Sequence, residues 1–162
     1  GVIKYNTKSK SIDEFVHFSG EKNSLSSDRV RSLLVDKNSN IWIGTQSGLN
    51  LLPLSEQGYS NANVTRFFYD PETDSGDDIL FVFQDSNGVI WVGIRAKGLY
   101  RYDGRKFKNI KLNSNNQITS IYSILEGTDN TLLMSSNQGI LKYNVPEDTF
   151  VVYTKKDGLV GN

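Results

Sequence analysis

Cysteine is absent from this sequence of 162 residues, and histidine occurs once, at His17. Without thiols the chain forms neither a disulfide nor a thiolate metal site. Many extracytoplasmic bacterial domains also lack cysteine, so this absence leaves the cellular compartment open. A single imidazole gives little basis for a histidine metal centre or a catalytic triad. We therefore predict no metal, no cofactor and no enzymatic activity for this chain.

The sequence also lacks an excess of charge of one sign, with 18 basic and 18 acidic side chains. A balanced surface provides no field that would favour nucleic acid or an anionic membrane as a partner. No apolar run approaches the roughly 20 residues that a membrane helix needs. We expect no nucleic-acid partner, no membrane segment in this chain and no signal peptide at its start.

What the sequence contains is a repeated motif. It reads IWIGTQSGL at residues 41–49, IWVGIRAKGL at residues 90–99 and, in a weaker third copy, LLMSSNQGI at residues 132–140. The equivalent glycines of the three copies, at positions 48, 98 and 139, lie 50 and 41 residues apart. A period in this range, with four short apolar runs in each unit, predicts a propeller in which each repeat forms one four-stranded blade.

The predicted fold is therefore all-β, a partial β-propeller of about three and a half four-stranded antiparallel blades. Acidic residues Asp36, Asp85 and Glu126 precede the three motif copies, and we interpret them as equivalent positions in the turn between strands one and two. In the half blade, the predicted strands are residues 1–6 and 14–18. The predicted boundaries are 1–18 for the half blade, 25–70, 78–112 and 117–154 for three blades, and 155–162 for the start of a missing blade.

Large and small residues within the motif are predicted to have packing roles. Tryptophans in the second strand fill the gap between neighbouring sheets, and the glycines two positions later allow the next blade to approach closely. Later glycines belong to the turn between strands two and three. These structural residues are Trp42, Gly44, Gly48, Trp91, Gly93, Gly98 and Gly139.

Candidate binding residues lie in the turns between strands two and three, because loops at that end of a propeller commonly carry its binding sites. They are Gln46, Arg95, Lys97, Asn137 and Gln138. Arg95 and Lys97 are the most distinctive, since the other two turns are uncharged there, and a guanidinium would hold a carboxylate or sulfate. A solvated turn charge is the alternative. Further candidates stand near the starts of the first strands, namely Asp28, Arg29, Asp77, Asp78, Gln117 and Thr119.

Two other features are interpreted as structural. Asp36, Asn38 and Asn40 have the alternate spacing of a calcium loop but lack its central glycine and distant glutamate, so they are predicted to form a turn. His17 has no cysteine or second histidine with which to share a metal, and it is predicted to be a half-buried structural residue.

The units VRSLLVDKNSNIWIGTQSGLN, residues 30–50, and ILFVFQDSNGVIWVGIRAKGLYRYD, residues 79–103, closely resemble the two-component regulator propeller repeat. The third unit lacks the tryptophan and the glycine-threonine pair. This resemblance implies a seven-bladed ring in the periplasmic sensor region of a Bacteroides-type hybrid histidine kinase, with oligosaccharides as the signals. It implies no kinase activity for this chain and transfers no ligand residues.

The leading hypothesis is a non-enzymatic sensing fragment with a possible oligosaccharide ligand. One alternative is a propeller enzyme such as a polysaccharide lyase or a streptogramin-type lyase, whose catalytic groups would come from outside this sequence. Another is a protein-interaction scaffold. In each case the apolar faces left by three and a half blades require cover, either from the remaining blades of the parent chain or from a second copy.

Overall fold

The computed structural model describes residues 1–56, 58–60, 63–112 and 118–160. In this part of the chain, sixteen strands are joined by turns and loops, and a 3₁₀ helix at Lys155–Asp157 follows the last strand. The first eight strands are β1 (Val2–Tyr5), β2 (Ile12–Phe15), β3 (Val30–Val35), β4 (Ile41–Thr45), β5 (Gly48–Leu52), β6 (Thr65–Phe67), β7 (Tyr69–Asp70) and β8 (Ser75–Gly76). The other eight are β9 (Ile79–Gln84), β10 (Ile90–Ile94), β11 (Gly98–Tyr102), β12 (Phe107–Ile110), β13 (Ile121–Glu126), β14 (Thr131–Ser136), β15 (Gly139–Asn144) and β16 (Thr149–Tyr153).

Twelve of these strands form three four-stranded sheets, each built from strands that are consecutive in sequence. The sheets are β3–β4–β5–β6, β9–β10–β11–β12 and β13–β14–β15–β16, while β1 pairs with β2 and β7 with β8. A recurring up-and-down sheet of four strands is the blade of a propeller, so the predicted all-β propeller fold is confirmed. The chain divides into two compact units, Gly1–Val82 and Phe83–Asn162, which are described separately.

Five apolar side chains form a core cluster in the first unit, and each is at most 9% exposed. They are Phe15, Leu25, Ile43, Leu52 and Val64. Leu25 belongs to the connection between β2 and β3 rather than to a strand. Its complete burial therefore anchors that connection to the sheet through apolar contact.

In the second unit, all five residues of β10 are buried. A strand with one solvent-exposed face would alternate between buried and exposed residues, whereas a strand covered on both faces has a continuous apolar run. Trp91, at the second position of β10, meets Tyr143 of β15 edge to face, with ring centroids 6.1 Å apart. This aromatic pair packs the β10 sheet against the β13–β16 sheet.

Both tryptophans of the motif are held by a carboxylate from the preceding turn. Asp36 accepts a hydrogen bond from the Trp42 indole at 2.9 Å, and Asp85 accepts one from the Trp91 indole at 2.8 Å. Asp36 also accepts the backbone N–H of Asn40 at 2.9 Å. Burial alone would raise the pKa of Asp36, but the hydrogen bonds from Trp42 and Asn40 outweigh it and lower that pKa below its ordinary value. The repeated aspartate thus shapes the turn and orients the tryptophan.

The predicted equivalence of Glu126 with Asp36 is wrong by one residue. Glu126 pairs with Leu132, as Val35 pairs with Ile41, so the residue in the position of Asp36 is Gly127. The side chain of Glu126 is instead exposed and accepts hydrogen bonds from Ser86 N at 2.9 and 3.0 Å. With no tryptophan in this sheet, the acidic side chain is not needed to orient an indole.

The predicted strand at residues 14–18 is displaced, because β2 spans Ile12–Phe15. The backbone beyond Phe15 bonds to the connection that leads to β3 rather than to a strand partner, and Leu25 N donates to Val16 O at 3.0 Å. His17 N donates to Asp28 Oδ1 at 2.8 Å, and Phe18 N donates to Ser24 Oγ at 3.0 Å. These bonds redirect the chain from the sheet into the connection to β3.

The β7–β8 hairpin was not expected from the sequence. Its strands pair Tyr69 with Gly76 and Asp70 with Ser75. Asp74 has a φ of 50° in the turn that joins them. The local sequence DPETDSGDD consists mostly of turn formers, which conceals a pair of two-residue strands.

Candidate functional site

The five predicted binding residues lie in the turns that join the second and third strands of the three sheets. Gln46 lies between β4 and β5, Arg95 and Lys97 between β10 and β11, and Asn137 and Gln138 between β14 and β15. Gln46 belongs to the first compact unit and the other four to the second. The three turns differ in length and in the charge of their side chains.

Gln46 is half-buried and hydrogen-bonded to the residue that precedes β3. Its backbone N–H donates to Arg29 O at 2.9 Å, and its side-chain Oε1 accepts from Arg29 Nη1 at 3.0 Å. The turn is closed by Thr45, whose hydroxyl donates to Gly48 O at 2.9 Å. Gln46 therefore helps to join strands one and two of its sheet.

Asn137 has a similar framework role in the second unit. Its Oδ1 accepts the backbone N–H groups of Thr119 at 3.0 Å and Ser120 at 3.1 Å, which fixes the start of β13. Gln138 N donates to the hydroxyl of Ser136, which closes this turn as Thr45 closes the first. The acceptor oxygen of Asn137 is therefore already bound to protein.

The Arg95–Lys97 turn is one residue longer than the other two. Ile94 replaces the hydroxyl residue that closes them, Ala96 has a φ of 59°, and Lys97 N donates to Ile94 O at 3.1 Å. Arg95 and Lys97 are both exposed. Of the three turns, this one presents two cationic side chains to solvent on a backbone held by β10 and β11.

Glycines after these turns let neighbouring connections come close. Gly48 N donates to Asp77 O at 2.7 Å, and Gly98 N donates to Thr119 O at 2.8 Å. A Cβ at Gly139, where φ is 119°, would clash with Tyr153 O. Close contacts within the protein therefore explain why glycine occupies these turn positions, without any role for a ligand.

Gly44 of β4 lies close to Ile79 of β9, and a substitution at Gly44 tests this close approach. A Cβ at this position would lie 2.7 Å from Ile79 Cγ2. We expect Gly44→Ala to destabilise the protein by about 1–3 kcal/mol through overpacking, measured as a lower midpoint of denaturant unfolding. The third sheet has Ser135 at the corresponding position, so Ser135→Ala is the control, with an expected change within about 0.5 kcal/mol. Equal effects of the two substitutions would contradict close packing at Gly44.

Asp78, one of the further candidates near the strand starts, also has a partner within the protein. Arg31 of β3 forms a two-pronged ion pair with Asp78, with Nε 2.6 Å from Oδ1 and Nη2 3.2 Å from Oδ2. Sequence reasoning missed this pair because its members are 47 residues apart. Gln117, another predicted candidate, lies outside the described residues.

A buried polar network in the first unit was also missed. Asn50 is fully buried; its Oδ1 accepts Ser26 N at 2.8 Å, and its Nδ2 donates to Ser26 Oγ at 2.9 Å and to Ile43 O at 3.1 Å. Ser26 Oγ also lies 3.0 Å from the hydroxyl of Thr45. A signal was present in the sequence, since Asn50 is a polar residue inside an apolar strand.

A surface cavity with a volume of about 380 Å³ lies on the β7–β8 hairpin. Its lining is Phe68, Tyr69, Asp70, Ser75, Gly76 and Asp77. Among the described residues, no three histidine or carboxylate side chains are grouped so as to hold a metal ion. No helix in the described part of the chain is long and apolar enough to cross a membrane.

Comparison with known proteins identifies the repeat and a relative. Residues 24–47 match the model of the two component regulator propeller. Histidine kinase P4 from Formosa agariphila is 40% identical over 163 positions, which cover 100% of this chain and 12% of that protein. The chain therefore spans only a small part of the length of this relative.

Solved structures share the fold at low sequence identity. One is the extracellular domain assigned to a hybrid two component system from B. thetaiotaomicron, with a TM-score of 0.74, 17% identity, and coverage of 100% of this chain and 21% of that chain. Another is virginiamycin B lyase from Staphylococcus aureus, with a TM-score of 0.52, 15% identity, and coverage of 73% of this chain and 39% of that chain. These two likenesses show the fold alone.

Proposed function

The chain belongs to the two-component regulator propeller family, and from this premise we propose that it is part of the periplasmic sensing region of a hybrid histidine kinase. The observation that carries the proposal is the 40% identity to a histidine kinase along the whole of this chain. In this role the chain has no catalytic part, and the phosphoryl-transfer chemistry lies in other regions of the parent protein.

The proposed signal is an oligosaccharide that carries carboxylate or sulfate groups. Arg95 and Lys97 support an acidic ligand, because they are exposed on a turn anchored by two strands. A guanidinium binds a carboxylate or sulfate through paired, charge-assisted hydrogen bonds. Gln46 and Asn137 contribute less to this proposal, since neither side chain carries a charge that would bind a carboxylate or sulfate.

Calorimetric titration of the full-length protein with matched acidic and neutral oligosaccharides tests this function. The proposal predicts saturable binding of at least one acidic oligosaccharide and weaker binding of its neutral counterpart of equal length. Flat titrations with every oligosaccharide, for protein that circular dichroism shows to be folded, would contradict it.

Substitution of Arg95 locates the ligand on this chain. We expect Arg95→Ala to weaken binding of an acidic oligosaccharide about 10- to 100-fold, because a charge-assisted hydrogen bond contributes about 1.5–3 kcal/mol. Lys97→Ala is expected to weaken binding less, since lysine makes a less directional contact. Arg105→Ala, which removes another exposed cation from the same unit, is the control and should leave affinity unchanged. An affinity unaffected by Arg95→Ala would place the ligand elsewhere.

Further blades are proposed to cover the outer face of the third sheet and to complete a seven-bladed ring. Leu125, Leu133, Lys142 and Val151 lie in one cross-strand row of that sheet. Its three apolar members, Leu125, Leu133 and Val151, are 69%, 38% and 55% exposed. Exposed apolar side chains on a sheet face are unfavourable in water and suit the packing of another sheet, and the aliphatic stem of Lys142 can pack beside them. The greater length of the histidine kinase relative supports blades of the same protein as the cover.

A further inference from the structure

Cationic side chains of the second unit are concentrated in one stretch of sequence. Seven basic residues and one acidic residue occur between positions 95 and 111, in a chain whose charges balance overall. The stretch begins at the β10–β11 turn and continues through β11, the β11–β12 turn and β12. The two turns lie at opposite ends of the sheet, roughly 15 Å apart at about 3.3 Å per strand residue. Because salt screens charges beyond about 8–10 Å, only cations at the same end act together on a small ligand.

Strand pairing places one further lysine at the end of the sheet that carries the β10–β11 turn. Leu99, the second residue of β11, pairs with Ile110, the last residue of β12. The strands are antiparallel, so the next residue, Lys111, stands beside the start of β11. Ile110 is 6% and Leu112 is 4% exposed, whereas Lys111 is exposed. This alternation directs Lys111 away from the core, next to the β10–β11 turn.

Hydrogen bonds from two sides fix the backbone of this turn. On one side, Asn109 Nδ2 of β12 donates to Lys97 O at 3.1 Å. On the other side, Ala96 N donates to Ser120 Oγ at 3.1 Å. Asn109 and Lys111 are two positions apart and both exposed, so the amide that contacts the turn shares a face with Lys111. A backbone fixed in this way loses less freedom when its side chains bind a ligand.

Protection of a sheet edge is the other role that lysines have on an outer strand. Charged side chains there prevent unwanted pairing with another strand, and β12 is an edge strand of its sheet. However, β16 is an edge strand as well, and its sequence TFVVY contains no charged residue. Edge protection by charge is therefore not a general feature of these sheets, and it does not explain a lysine placed beside the β10–β11 turn.

We propose that Lys111 completes a three-cation site with Arg95 and Lys97, and that this site selects a saccharide segment with two anionic groups over one with a single group. The inference rests on the proposed sensing of an acidic oligosaccharide. The guanidinium of Arg95 binds one carboxylate or sulfate through paired hydrogen bonds. Lys97 and Lys111 are flexible point charges that attract the second anionic group. Three neighbouring cations repel one another, and a ligand with two anionic groups neutralises more of that repulsion than a ligand with one.

Calorimetric titration of the full-length protein with matched disaccharides tests the site. The disaccharides carry one or two anionic groups, as sulfates in one pair and as carboxylates in the other. We expect the wild type to bind the disaccharide with two groups about 10-fold more tightly than its counterpart with one, in at least one pair. Lys111→Ala should reduce this ratio to about threefold, because the second group loses one of its two lysines. Lys111→Arg keeps the charge and should keep the wild-type ratio.

Lys108→Ala is the matched control, because Lys108 is an exposed lysine of β12 that pairs with Arg101, farther from the turn. It should keep the wild-type ratio. An unchanged ratio in Lys111→Ala, or an equal loss in Lys108→Ala, would overturn the three-cation site and leave the proposed sensing function in place. If the wild type bound no acidic oligosaccharide at all, both the site and the proposed function would be overturned.

Discussion

Replacement of Trp91 by alanine is expected to destabilise the protein by about 3–5 kcal/mol, the cost of deleting a large, fully buried aromatic side chain from a core that cannot collapse around the cavity. Trp91 is 0% exposed and contacts Tyr143 of the neighbouring sheet, so its loss creates a void between two sheets. Denaturant unfolding followed by circular dichroism measures the effect without relying on tryptophan fluorescence.

Two controls separate the roles of the Trp91 ring. Trp91→Phe keeps most of the aromatic surface but removes the indole N–H that donates to Asp85, which is 4% exposed. Its expected cost is about 1–3 kcal/mol, the penalty for a buried acceptor that loses a partner. In the 162-residue chain, Leu133→Ala, at the corresponding position of the third sheet, should cost less than about 1 kcal/mol because Leu133 is 38% exposed there. If Trp91→Ala costs no more than Leu133→Ala, Trp91 does not carry the packing between these sheets.

Replacement of Asn50 by alanine is expected to cost about 2–4 kcal/mol, although it removes only a small side chain. The substitution leaves the Ser26 N–H and the Ile43 carbonyl without the bonds they make to Asn50, in a region from which water is excluded. A polar group left unsatisfied in this way loses its full hydration without compensation. The connection before β3 should therefore separate from the sheet before the sheet itself unfolds.

Hydrogen exchange provides the measurement for Asn50, because the Ser26 amide donates directly to its side chain. We expect this amide to exchange much faster in Asn50→Ala, together with a lower unfolding midpoint. Asn109→Ala is the control, since Asn109 is exposed and donates to Lys97 O at 3.1 Å. Its expected cost lies within about 0.5 kcal/mol. Unchanged protection of Ser26 would show that the network does not hold the connection.

The repeat was visible in the sequence because short-range patterns determine it. The spacing of Trp42 and Gly44 before the turn, and its recurrence at Trp91 and Gly93, predicted the four-stranded sheets that the structure shows. Such patterns depend on side-chain alternation along a strand, which single-sequence reasoning detects.

Contacts between distant segments were beyond the same reasoning. The bond from Ser26 to Asn50 spans 24 residues, and the partner of an isolated polar residue depends on how the chain returns. The position of Glu126 was misjudged because a turn of the type EGTDN gives no sign of which residue leaves the strand. Among the predicted binding turns, the sequence separated Arg95 from Gln46 and Asn137 by its charge, whereas the bonds from the Gln46 and Asn137 oxygens to protein groups were visible only in the structure.

The most direct test of the proposed sensing function is to measure whether the parent protein autophosphorylates on histidine, with and without a saturating acidic oligosaccharide. A propeller that senses such a ligand predicts a change in the rate on addition of the oligosaccharide and no change on addition of its neutral counterpart. An autophosphorylation rate that stays the same at saturating oligosaccharide, with binding verified by calorimetry on the same sample, would contradict it.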